Sequence, residues 1–148
     1  MTLVIDPKWD GAFQNLVRYF HALEVYDIDA GLSCFSPNVE YWHHPFNEVH
    51  EGFEDDDKWH CARGHGELRK LWEFRGPEPQ AIHHLSGFAR NGNLCFCEGF
   101  TPGAPGEPPV VTWISAWTVD PQNIIERYTA YIQWPSVALI GDENIPCK

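Results

Sequence analysis

Basic side chains are scarce in this chain. Ten Lys and Arg stand against 21 Asp and Glu, a formal net charge of −11 with histidine neutral. The basic residues form no run able to hold phosphates, which argues against nucleic acid as a partner. Long apolar runs are also missing: none approaches the roughly 20 residues a helix needs to span a bilayer. The opening residues Met1 to Asp6 join no basic region to an apolar core, so the expectation is a soluble protein of the cytoplasm, with no membrane partner. The five cysteines, Cys34, Cys61, Cys95, Cys97 and Cys147, are odd in number and irregularly spaced. That pattern suits reduced thiols better than a disulfide framework. There is no Gly-rich phosphate loop, no Gly-x-Ser-x-Gly nucleophile turn and no internal repeat. His60, Cys61 and His65 lie close together but do not reach ordinary zinc-site spacing, and Cys95 and Cys97 read as small buried hydrophobes. No metal and no other cofactor is expected.

What the chain does have is aromatic surface. Seven Trp, nine Phe and five Tyr in 148 residues supply core volume and flat walls for a ligand. The length and the 43% apolar content fit one domain over residues 1–148, with a core from 10 to 134 and a tail from 135 to 148. The tail has little periodicity and is expected to wrap the body or a partner subunit. Much of the acid is concentrated at Glu48, Glu51 and Glu54 to Asp57, which reads first as a solvated loop.

From Asp10, the residues Phe13, Leu16, Val17, Phe20 and Leu23 recur at spacings of three and four, predicting an amphipathic helix. Asp27 or Asp29 caps a short second helix running to about Cys34 and Phe35, where Ser36-Pro37-Asn38 stops it. Val39 to Trp42 reads as a strand closed by His43, His44 and Pro45. A long polar loop to Arg63 follows, read as a flap over a pocket mouth. Gly64 to Phe74 predicts a third helix, ended by Gly76-Pro77. The period then changes to two. Ile82–Arg90, Leu94–Phe100, Val110–Val119 and Ile124–Ile132 are strands joined as hairpins. The fold class is therefore α+β, with helices covering one face of a curved, mostly antiparallel sheet that wraps a pocket as a cone.

Several segments resemble the nuclear transport factor 2-like superfamily over residues 10 to 134. They are Tyr19-Phe20-His21-Ala22-Leu23 leading into Asp27-Ile28-Asp29, Phe35-Ser36-Pro37-Asn38-Val39, Gly64-His65-Gly66-Glu67-Leu68, and Trp117-Thr118-Val119-Asp120 running into Ile124, Ile125 and Tyr128. The superfamily includes ketosteroid isomerase, scytalone dehydratase, limonene epoxide hydrolase and the SnoaL-like polyketide cyclases. Its fold serves enzymes, binding proteins and association domains alike. The resemblance implies a single SnoaL-like domain, and a homodimer paired through the outer sheet face.

Compared position by position, the resemblance puts His44, before Pro45, where ketosteroid isomerases carry a proton-shuttling aspartate. Imidazole can serve that role at neutral pH. Tyr19 stands at the spacing of the oxyanion-holding tyrosine, and Ser115 replaces the second, acidic donor of that family. Gly99, Thr101 and Thr129 fill the places of the arginine and two aspartates of limonene epoxide hydrolases, so that chemistry is excluded. His83 corresponds to a histidine of scytalone dehydratase.

Successive strand residues face opposite ways, so one histidine of each pair, His43 or His44 and His83 or His84, can face a pocket. The resemblance favours His83. Trp113, Ser115 and Trp117 share one strand face, as do Arg127, Thr129 and Tyr131; Glu98 lies between Phe96 and Phe100. If these faces are concave, Trp113, Trp117, Tyr41, Phe96, Glu98, Thr129 and Tyr131 line an aromatic box for a largely apolar small molecule. The expected function is a cofactor-independent isomerase, cyclase or dehydratase acting on a polycyclic, terpenoid- or polyketide-like metabolite. His44 or His83 would transfer protons, and Tyr19 and Ser115 would donate hydrogen bonds. The alternative is a non-catalytic binding or association module.

Overall fold

The computed structural model describes residues 7–44, 59–77, 82–103, 105–106, 109 and 111–133. After a short turn at Pro7–Trp9 come α1 (Gly11–Glu24), α2 (Ile28–Ser33), β1 (Phe35–His43), β2 (His60–Arg63) and α3 (Gly64–Arg75). The strands β3 (His84–Asn91), β4 (Leu94–Thr101), β5 (Val111–Val119) and β6 (Ile125–Gln133) complete the chain. They join one curved sheet in the order β2-β1-β6-β5-β4-β3. β1 runs parallel to β6, and every other pairing is antiparallel. The edge strands β2 and β3 do not meet, so the sheet stays open.

Helix α1 begins where the Asp10 carboxylate accepts the N–H groups of Ala12 and Phe13 at 2.9 and 3.2 Å, taking up donors that the first turn leaves unpaired. Arg90 of β3 grips the same carboxylate at 3.1 and 3.0 Å, fixing the helix start against the sheet edge. One turn further on, buried Asn15 donates to the carbonyls of Cys34 (2.8 Å) and Asn123 (3.0 Å), and its own oxygen accepts from Arg18 at 2.6 Å. A single amide thus ties α1 to the start of β1 and to the β5–β6 turn. Gly64 opens α3 at a φ of 72°, where a Cβ would sit 2.9 Å from the Pro37 carbonyl.

Register fixes which residues look inward. One inner row runs Cys95, Trp117, Tyr128, Tyr41, Ala62 across β4, β5, β6, β1 and β2. The next runs Cys97, Ser115, Ala130, His43, His60. All ten side chains are buried. The helices lie over these rows, with Leu16, Tyr19 and Phe20 of α1, Leu32 of α2, and Leu68 and Trp72 of α3 in one apolar core.

The structure corrects three expectations about elements. Strand β1 starts at Phe35, not Val39. A register shift between Phe35 and Glu40 takes Pro37, which has no N–H to give, out of the ladder. The last residues of the supposed loop, His60–Arg63, form edge strand β2 against β1, giving six strands instead of five. A bulge between Leu85 and Gly87 breaks the strict alternation expected of β3, so Phe88 packs on the core side with Leu85. The flap reading of residues 45–58 and the tail reading of 135–148 fall outside the described residues. Among the described residues, no helix is long and apolar enough to cross a membrane. Cys34, Cys61, Cys95 and Cys97 are free thiols, and no group of three or more His, Cys, Asp or Glu could hold a metal ion among the described residues.

Candidate functional site

Two hydroxyl pairs stand inside the cone. The phenols of Tyr19 and Tyr41 are 2.9 Å apart, and Ser115 Oγ lies 2.7 Å from the Tyr128 hydroxyl. Tyr41 and Tyr128 stack at 5.2 Å, so the two pairs sit side by side. Trp72 of α3 stacks on Tyr19 at 5.7 Å and meets Tyr41 edge-on at 6.2 Å. Burial, reinforced by the neighbouring phenols, holds Tyr19 and Tyr128 well above the ordinary tyrosine range. These groups therefore stay protonated and serve as hydrogen-bond donors, not bases.

His43 follows Tyr41 on the inner face and stacks near it at 6.3 Å. Its Nδ1 meets the His44 carbonyl at 2.7 Å. Burial, then the charge of Arg75 at the end of α3, pushes His43 well below the ordinary imidazole value, so the ring is neutral. The same charge acts weakly on Tyr19 and Tyr128, where it opposes the larger effect of burial.

A second histidine enters from the other side. The ring of His83 lies flat on Phe20, with centroids 4.4 Å apart and planes 3° from parallel, and its edge meets Trp113 at 5.2 Å. Glu24, the last residue of α1, accepts from the His83 backbone N–H at 2.7 Å and lies 3.2 Å from Nδ1. A carboxylate only accepts, so Nδ1 carries the proton and Nε2 becomes the basic nitrogen. Opposite, Gly99 gives Trp113 its seat: a Cβ there would come within 2.5 Å of the indole and 2.6 Å of the His84 carbonyl. Cys95 and Cys97, lower on the same strand, are pushed by burial up to about 11 and about 12, which leaves them as unreactive thiols.

Of the residues singled out by the sequence, Tyr19, Tyr41, His83, Trp113, Ser115 and Trp117 lie on the inner side. Five others do not. His44 is past the end of β1, and its ring packs edge-on against Trp59 at 5.2 Å, with Trp59 in turn against exposed Tyr131. The inner member of that pair is His43. Phe96 and Glu98 alternate with buried Cys95 and Cys97 and are exposed. Thr129 and Tyr131 alternate with Tyr128 and Ala130; Thr129, in register with Trp42 and Ala116, is buried on the outer face. Alternation predicted each set correctly, but one strand's parity does not say which side the helices cover. Glu24, Trp72 and Arg75 went unseen because they reach the site from the ends and flanks of helices, where periodicity marks burial and not chemistry.

No protein-family model and no curated protein sequence matches the chain. Solved structures do. TerC, co-crystallised with polyporic acid, superposes with a TM-score of 0.60 at 16% identity, covering 88% of this chain and 96% of that one. An NTF-2 like protein of unknown function from Burkholderia xenovorans gives 0.57 at 15% identity, over 92% and 96%. A protein provisionally named a polyketide cyclase, from Sinorhizobium meliloti, gives 0.54 at 16%, over 80% and 94%. The chain has the nuclear transport factor 2-like fold. At these identities the likeness concerns fold alone.

Proposed function

We propose that the protein is a cofactor-independent isomerase, cyclase or dehydratase that moves a proton on a largely apolar polycyclic, terpenoid- or polyketide-like molecule. The observation that carries this reading is the Glu24–His83 contact inside an aromatic wall. A histidine with one nitrogen held by a carboxylate and its ring clamped between Phe20 and Trp113 is oriented as a general base. The buried phenols of Tyr19 and Tyr128 supply protons toward a developing oxyanion in a site that water screens poorly. Glu24 is a positioning residue. The polyporic acid of TerC and the polyketide in the name of the Sinorhizobium protein support an aromatic oxygenated ligand.

The test is proton exchange on a model ketone. 2-Tetralone incubated in D2O should take up deuterium faster with the protein than without it, followed by NMR. His83→Asn should lower the protein-dependent rate by about 100-fold or more, the range for loss of a general base, and Glu24→Gln by about tenfold. An unchanged rate in His83→Asn removes His83 as the base, and a wild-type chain that does not accelerate exchange removes catalysis from the reading and leaves a binding module.

Self-association is also proposed. Ile114, 50% exposed, stands between Glu98 and Tyr131 on the outer face, beside exposed Phe96. An open apolar sheet face of this kind fits pairing with a second copy. Sedimentation should show a dimer that Ile114→Glu converts to monomer; a wild-type monomer at tens of micromolar ends the idea.

A further inference from the structure

Two buried imidazoles take no part in the proton transfer assigned to His83. His43 of β1 and His60 of β2 are direct cross-strand partners on the inner face, and each is 7% exposed. Side chains opposite one another in an antiparallel pair stand about 5 Å apart at Cβ, and like charges in such places repel. The charges that act on His43 are of one sign: Arg75 at the end of α3, then His60 and His44. From β6 it meets Ala130 and the protonated Tyr128, and from α1, beyond Tyr41, the protonated Tyr19, so neither element supplies an anion. The carboxylates of β1 and α3 are engaged elsewhere. Glu40 stands opposite Arg63, Glu67 accepts the Arg63 N–H at 2.8 Å, and Glu73 lies 3.8 Å from Arg69.

The two strands differ in what holds them. β1 is paired on both sides, to β2 and to β6, whereas β2 is an edge strand of four residues that pairs with β1 alone among the described strands. Only His60 and Ala62 of those four are buried, so the larger inward anchor of β2 is an imidazole. β2 runs into α3 at Gly64, whose φ of 72° makes a sharp joint between strand and helix. Helix α3 is held independently of β2: His65 Nε2 meets the Phe35 carbonyl at 2.8 Å, and Leu68 and Trp72 are in the core. Repulsion inside the pair therefore moves β2 about Gly64 and leaves β1 and α3 in place.

We propose that β2 is an acid-released edge strand: protonation of the His43–His60 pair detaches it from β1 and uncovers the inner face at Tyr41 and His43, beside the hydroxyl cluster. The device stands whether or not the interior is catalytic. Its sign follows from the closed form, in which burial and then Arg75 hold His43 below 6.5; once β2 leaves, the ring meets water and takes a proton more readily. Opening therefore grows as pH falls below 6.5, by up to about tenfold per pH unit for each histidine that titrates only in the open form.

Hydrogen exchange of the full chain tests this, read by mass spectrometry at pH 7.5 and 5.0 and corrected for the intrinsic pH dependence of amide exchange. The β2 amides that pair with β1 should lose protection by about tenfold or more at pH 5.0, while β4 and β5 keep theirs. His60→Phe and His60→Gln remove the titrating group, one with a ring and one without; a variant folded at pH 7.5 should keep β2 protected at pH 5.0. Should neither fold, the wild-type pattern decides alone, a loss confined to β2 sustaining the proposal. Unchanged β2 protection in the wild type, a loss shared equally by all strands, or an undiminished loss in a folded variant overturns it.

Discussion

Asn15→Leu should lower the free energy of unfolding by about 3 kcal/mol, although the two side chains have similar volume. The amide is 1% exposed and serves three partners at once: two backbone carbonyls, from Cys34 and Asn123, and the guanidinium of Arg18. Leucine adds apolar contact but leaves the Asn123 carbonyl without its bond, and an orphaned buried acceptor costs about 1–3 kcal/mol. The Cys34 carbonyl suffers less, because the Ile125 N–H also reaches it at 3.0 Å. The remaining loss comes from freeing α1 from the β5–β6 turn. Urea unfolding checks this as a lower midpoint at unchanged slope. A loss below about 1 kcal/mol would mean that packing alone seats α1 on the sheet.

The second large effect is a stability that falls on both sides of neutrality. Tyr19 and Tyr128 are raised above their ordinary value near 10 by burial, so their contribution is fully present below pH 10 and is lost as pH rises. Above pH 10 the unfolded chain releases these protons while the folded chain keeps them. The slope is about 1.4 kcal/mol per pH unit for each group. Cys95 and Cys97, also raised by burial, begin to add to the fall near pH 9. His43 has the opposite sign. Its folded value lies below 6.5, so its contribution is present above pH 6.5 and is lost as pH drops, with a limiting slope of the same size. Urea midpoints from pH 5 to 11 should trace a dome. Tyr128→Phe should flatten the alkaline limb and His43→Asn the acid limb. A profile flat from pH 10 to 11 would show that the phenols ionise within the folded chain.

Much of the fold was legible in local chemistry. The capping aspartates Asp27 and Asp29 before and in α2, the three-and-four spacing of Phe13, Leu16, Phe20 and Leu23, and Gly76 after α3 each act over a few residues, so they mark α1, α2 and α3 wherever the rest of the chain goes. The four hairpin strands announced themselves by alternation and by turns such as Asn91-Gly92-Asn93. Strand β2 did not: four residues at a sheet edge carry too little pattern to separate them from a loop, and only pairing with β1 makes them a strand.

The site divides along the same line. Which residues share a face is a property of the extended backbone, so the sequence by itself set Trp113 with Ser115 and Trp117, and Phe96 with Glu98. Which of those faces is covered by helices is a property of the assembled sheet. The strand registers and the bulge in β3 decided it, turning His43, Tyr128 and Phe88 inward and Glu98 and Tyr131 outward. Contacts between residues far apart in the chain belong wholly to the tertiary structure. Glu24 meets His83 across 59 positions because the end of α1 is docked against the entry to β3, and no local propensity encodes that encounter.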